Sequence, residues 1–69
     1  MIDAVSFEKI LVKLGFERIR QKGSHITYRH HDGRVTTVPM HKGQDIKRTT
    51  LRKILREIKL SIEEYNTLN

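Results

Sequence analysis

Phe7, Ile10, Leu11 and Leu14 recur at i, i+3, i+4 and i+7, which gathers them on one apolar face of a short helix. Ser6 stands in front of this run as an N-cap, and Gly15 follows its last member, where a left-handed backbone ends helices. The spacing predicts a first helix over about residues 7 to 14. From Phe16 the period changes to two. Residues Phe16 to Lys22 and His25 to His30 alternate as strands do, with Gly23-Ser24 between them as a two-residue hairpin loop. With Lys22 opposite His25, Arg20 faces Thr27 and Arg18 faces Arg29 on one side, while Ile19 faces Tyr28 and Gln21 faces Ile26 on the other. One side is basic and the other mostly apolar. A half-buried sheet is expected, with His25, Arg18, Arg20, Lys22 and Arg29 on its solvent face.

Asp32-Gly33 is a second turn signal and leads into a third strand from Arg34 to Pro39, the only proline. Val35 and Val38 have opposite parity, which calls for a bulge or a longer turn around residues 31 to 33. Residues 40 to 47 read as a polar loop. A second helix starting near Thr49 or Thr50 turns Leu51, Ile54, Leu55 and Ile58 inward and Arg52, Lys53 and Arg56 outward. Ser61-Ile62-Glu63-Glu64 has the form of a capping box, which predicts a short C-terminal helix over about residues 62 to 68 carrying Ile62, Tyr65 and Leu68. The order α-β-β-β-α makes a small two-layer α+β fold, with helices on one sheet face and the basic face open. No repeat, low-complexity stretch or linker divides the chain, so residues 1–69 read as one domain.

Composition sharpens this picture in three ways. At 69 residues and 36% hydrophobic content the chain can build one thin core. A domain of that size buries only about 60% of the surface its unfolded chain exposes, so a bound partner would add to its stability. The absence of cysteine excludes disulfides, thiolate metal sites and a cysteine nucleophile. The start lacks a basic signal-peptide region and no apolar run approaches the roughly 20 residues of a membrane span, so no membrane association is expected and the cytoplasm is the default location. Finally, the net charge of +6 is concentrated: residues 18 to 56 hold eleven Lys or Arg against two acids, Asp32 and Asp45. A field of that sign favours nucleic acid, anionic lipid or an acidic protein partner.

Within that field His25 is the candidate chemical group. It sits at a tight turn between cationic strands, and an imidazole with an ordinary pKa of about 6.5 transfers protons near neutral pH while neighbouring cations hold a phosphate against it. His30 and His31, beside the Asp32-Gly33 turn, read as solvated turn residues. The four histidines show no spacing that brings three ligands to one point, so neither a metal nor another cofactor is expected. Ser24 beside His25 lacks a nearby carboxylate to orient the imidazole, which argues against an acyl-transfer triad.

Taken in order, Leu14-Gly15-Phe16, Arg20-Gln21-Lys22-Gly23-Ser24-His25, Val38-Pro39-Met40-His41, Thr50-Leu51-Arg52-Lys53-Ile54-Leu55 and Leu60-Ser61-Ile62-Glu63-Glu64-Tyr65 resemble the HicA (YcfA-like) mRNA interferase toxins of toxin-antitoxin systems, over nearly the whole chain. The resemblance implies a fold similar to the double-stranded RNA-binding domain, cleavage of mRNA, and neutralisation by a HicB-type antitoxin, with the chain a monomer alone and part of a hetero-oligomer with that antitoxin. It also implies that the histidine of the Gly-Ser-His element, His25, is catalytic.

Metal-independent RNA cleavage needs a base for the attacking 2′-hydroxyl, cations for the developing charge and an acid for the leaving oxygen. His25 fits the first role, and Lys22 and Arg20 fit the second. For the third, His41 is a candidate if its loop folds back toward the hairpin, and water is equally suitable. Ser24 is a further supporting candidate. Arg18, Arg20, Lys22, Arg29, Arg52, Lys53 and Arg56 are the expected RNA-binding residues. Two other readings remain open: a non-catalytic module holding double-stranded RNA by shape and phosphate contacts, and an interaction protein whose basic face docks an acidic partner.

Overall fold

The computed structural model describes residues 2–68. The first helix, α1 (Ala4–Lys13), begins earlier than the apolar spacing places it, with Asp3 rather than Ser6 in the extended cap position. The Phe7 N–H already donates to the Asp3 carbonyl at 3.0 Å, and Ala4 is buried one turn before Phe7, so the apolar face starts at Ala4. The helix ends where expected, at Gly15, whose φ of 98° lies in the left-handed region.

Three antiparallel strands follow in the order β1-β2-β3: β1 (Phe16–Lys22), β2 (His25–His30) and β3 (Val35–Pro39). Pairing of β2 with β3 runs without interruption from Arg29 opposite Val35 to His25 opposite Pro39. The parity conflict between Val35 and Val38 is therefore resolved without a bulge in β3. Val38 is buried, Val35 faces solvent, and Thr36 fills the inner position between them, its hydroxyl donating to Glu57 at 2.8 Å.

The irregularity lies in β1 instead. Lys22, Gln21 and Arg20 pair with His25, Ile26 and Thr27 as predicted, but the register then shifts, so that Arg18 faces Tyr28, Glu17 faces Arg29 and Phe16 faces His30. Ile19 is the residue left over, and it is exposed rather than set against Tyr28. The shift carries Phe16 to the inner face, where it is almost fully buried beneath α1 and α2 (Arg48–Glu57). Ile54, Leu55 and Ile58 close the core from α2, as their spacing predicts. The final helix, α3 (Ile62–Leu68), opens on the predicted capping box: Glu64 N–H donates to Ser61 Oγ and Ser61 N–H to Glu64 Oε1, both at 3.0 Å.

The β2–β3 turn is fastened to the helices by His30 and Arg34. His30, read as solvated, has a side chain only 11% exposed. Its ring meets Phe16 edge-on at 5.2 Å between centroids, and its Nδ1 accepts the Asp32 N–H at 3.1 Å. Arg34 grips the Asp32 carboxylate, with Nε 2.9 Å from Oδ2, lies over the Phe16 ring and donates to the Ile58 carbonyl at the end of α2. The Arg34 guanidinium holds the Asp32 carboxyl at about 2, well below its ordinary 3.8.

Two outcomes test this arrangement. A Cβ on Gly15 would stand 2.9 Å from His30 Nε2, whereas one on Gly33, at a similar φ of 101°, meets nothing within 4 Å. Gly33→Ala is expected to lose about 1–2 kcal/mol from its left-handed backbone alone. Gly15→Ala is expected to lose more, by about 1 kcal/mol, in urea unfolding, because the imidazole it strikes is fixed by Phe16 and Asp32. The second outcome concerns pH. With its folded pKa depressed, Asp32 contributes stability that is fully present above about pH 4 and is lost as pH falls through about 2. Asp32→Asn is therefore expected to unfold at lower urea than the parent near neutrality, with the two urea midpoints converging toward pH 2.

Candidate functional site

α1 and α2 pack on the inner face of the sheet and leave the outer face open. On that face the cross-strand rows are Lys22, His25 and Pro39; then Arg20, Thr27 and Thr37; then Glu17, Arg29 and Val35. His25 is exposed in the row nearest the β1–β2 turn, with Lys22 directly across β1. Gly23 takes a φ of 61° to make that turn tight, and the Gln21 amide donates to its carbonyl at 3.2 Å. In the middle row the Thr27 and Thr37 hydroxyls share a hydrogen bond at 3.2 Å, which covers Thr27 and leaves Arg20 as the row's charged group.

The bulge changes which cations belong here. Arg18, expected beside Arg29, is turned to the helix side, where its Nε donates to Glu8 Oε2 of α1 at 2.5 Å. The Tyr28 hydroxyl donates to the same oxygen. Arg18 holds the Glu8 carboxyl below the usual carboxylate range, and burial together with Glu8 pushes the Tyr28 phenol up. Glu17 takes the place opposite Arg29. The open face therefore carries unopposed cations, Arg20 and Lys22, at the His25 end and a mixed Glu17–Arg29 pair at the other.

Of the remaining expected residues, Arg52, Lys53 and Arg56 are exposed on α2, in the helix layer and away from the open face, where Arg52 and Arg56 flank a shallow groove with Leu55 and Ile62. The Met40 N–H donates to the Ser24 carbonyl at 2.6 Å, which continues the β2–β3 pairing past Pro39, and His41 follows directly on this residue tied to the His25 turn. His41 also lines a cleft with Pro39, Gln44, Asp45 and Lys47 that the reading of residues 40 to 47 as a polar loop missed. The signal for it was Ile46, one apolar residue in a polar stretch, whose burial anchors the loop. His30 and His31 stand at the opposite end of the sheet. Among the described residues no group of three or more His, Cys, Asp or Glu is placed to hold a metal. No helix there is long and apolar enough to cross a membrane.

These features define a small cationic α+β domain that presents a single histidine on an uncovered sheet face. The chain belongs to the HicA toxin family: the model of that family, described as the HicA toxin of bacterial toxin-antitoxin, matches residues 6–60. Membership makes the chain a toxin component and implies an antitoxin partner. No curated protein matches it.

Proposed function

We propose that this toxin is an endoribonuclease that cleaves mRNA without a metal, with His25 as its general base. The observation that carries the reading is the row Lys22–His25–Pro39, which puts an exposed imidazole beside a cation on the one sheet face the helices leave uncovered. RNA laid along this face meets Lys22 and Arg20 with its phosphates. His25 takes the proton of a 2′-hydroxyl, the resulting oxygen attacks the adjacent phosphorus, and the bond to the 5′-oxygen of the next nucleotide breaks. Lys22 and Arg20 stabilise the charge that develops on the non-bridging oxygens. The leaving oxygen gains a proton from water or from His41, whose loop is tied to the His25 turn. The products are a 2′,3′-cyclic phosphate and a 5′-hydroxyl.

The same uncovered cationic face is where a HicB-type antitoxin would neutralise the toxin. An acidic partner is steered to it by charge and excludes RNA by occupying it. The chain alone is then a monomer, the complex a hetero-oligomer, and the place of action the cytoplasm, where mRNA is translated.

Purified protein and His25→Ala, incubated with ribosome-free RNA in EDTA, test the reading. The variant is expected to keep its fold and RNA affinity while cleavage falls roughly 100-fold or more. Binding by the parent without any cleavage would instead leave a double-stranded-RNA-binding module. The bulge gives a second expectation. Arg20→Ala should weaken RNA binding and reduce the slope of log affinity against log salt by about 0.7–1, whereas Arg18→Ala should leave the slope unchanged and lower stability through the loss of its contact with Glu8.

A further inference from the structure

At the His25 end of the sheet, β3 leaves its pairing at Pro39 and the chain folds back before α2, enclosing a cleft of about 230 Å³. Pro39 and Ile46 give it an apolar wall, and Gln44, Asp45, Lys47 and Thr50 give it polar groups. The wall is held by the backbone. Gln44 N–H donates to the His41 carbonyl at 3.0 Å, Ile46 N–H to the Ile2 carbonyl at 2.9 Å, and Asp45 pairs with Asp3. A preformed concavity with a few polar groups on an apolar lining is the general form of a small-ligand site, and this one is smaller than the roughly 300–1,000 Å³ of drug-sized pockets, which limits it to about one ring system. Pro39 lies directly across from His25 and also lines the cleft, so the cleft starts from the residue that faces His25 across the sheet.

The chemistry of the cleft differs from that of the face around it. Asp45 is one of two acids between residues 18 and 56. The other, Asp32, is engaged by Arg34, while Asp45 takes part in none of the ion pairs among the described residues. Asp45 offsets the charge of Lys47 in the same lining, so the cleft lacks the excess of cations that draws a phosphate on the face around it. A neutral base is a good occupant: a carboxylate accepts from an exocyclic amino group, and the Gln44 amide offers a donor and an acceptor side by side. The imidazole of His41, also in the lining, is of the kind on which unpaired bases stack.

Resting on the ribonuclease reading above, we propose that this cleft is the subsite for a base flanking the cleaved phosphate, and that it selects bases carrying an exocyclic amino group over uracil, with Asp45 as the discriminating acceptor.

RNA oligonucleotides identical except for cytidine or uridine at one position beside the cleaved bond, tried on each side in turn, provide the test. The two pyrimidines share a ring and differ on one edge: cytosine has an amino group at position 4 and an acceptor at N3, uracil a carbonyl at position 4 and an N–H at N3, so the discrimination requires Asp45 to meet position 4. On one side, cytidine is expected to be cleaved about tenfold faster or more. In Asp45→Asn, with folding confirmed by circular dichroism, that ratio is expected to fall to near one or below, since an amide also donates to the uracil carbonyl. Equilibrium binding of the same oligonucleotides to His25→Ala, with and without Asp45→Asn, reads the preference independently of chemistry. Cleavage with no cytidine–uridine difference, or with a difference that survives Asp45→Asn, overturns the subsite and leaves the nuclease standing. No cleavage, but a binding preference removed by Asp45→Asn, overturns the nuclease and keeps the subsite. Absence of both overturns both.

Discussion

Phe16, Arg18, Arg20 and Lys22 stand at every second position of β1, so a regular strand would send all four to one face of the sheet. Phe16 is the largest apolar side chain available to the edge of the core that β1 covers, and exposing it would put Glu17 in its place. The register shift between Arg18 and Arg20 removes the conflict by leaving Ile19 unpaired. Phe16 then goes inside, Arg20 and Lys22 stay outside, and Arg18 passes to the helix side. There Glu8 receives both the Arg18 guanidinium and the Tyr28 hydroxyl on one oxygen, tying α1 to the two strands that meet at the bulge. Phe16 in turn supports His30 and Arg34, and through Arg34 the β2–β3 turn reaches the end of α2.

The division of charge follows from the same shift. Arg18 is neutralised within the fold, Arg29 faces Glu17, and the cations without an opposing acid gather at the end of the sheet that carries His25. On the proposed function, a face polarised in this way would orient a phosphate backbone instead of merely attracting it. The α2 residues Arg52, Lys53 and Arg56 project from the other layer, so their charge adds to the field that steers an anionic partner more than to contacts at His25.

Much of this was legible in the chain. The helix boundaries at Gly15 and Ser61, the Gly23-Ser24 hairpin and the inward set on α2 all come from local rules that tertiary packing did not oppose. The rest has a different cause. The opposite parity of Val35 and Val38 calls for a bulge or a longer turn around residues 31 to 33; the strands pair regularly up to His30 and Arg34 around a turn over those residues, and Thr36 takes the inner position because Glu57 satisfies its hydroxyl. The bulge in β1 has its signal in the even spacing of Phe16 with three cations, because a large apolar side chain and three charges cannot share one face of a half-buried strand. His30 looked like a turn residue because its burial depends on Gly15 and Phe16, which lie in another element. For the site, the placement of His25, Lys22 and Arg20 on one face followed from three correctly paired residues next to the turn. The cleft at Asp45 did not, because it is built from backbone contacts to Ile2 and Asp3 that no local pattern records.

On the proposed function, RNA engages the open sheet face at its His25 end, as the β1 bulge defines it. Amide chemical shifts of His25→Ala titrated with a short RNA test this most directly. The account predicts that the largest changes cluster at Arg20, Lys22, Thr27, Thr37 and the Met40–Asp45 segment, with Glu8, Arg18 and the α2 residues little affected. Changes centred on Arg52, Lys53 and Arg56, with the sheet face silent, would contradict it.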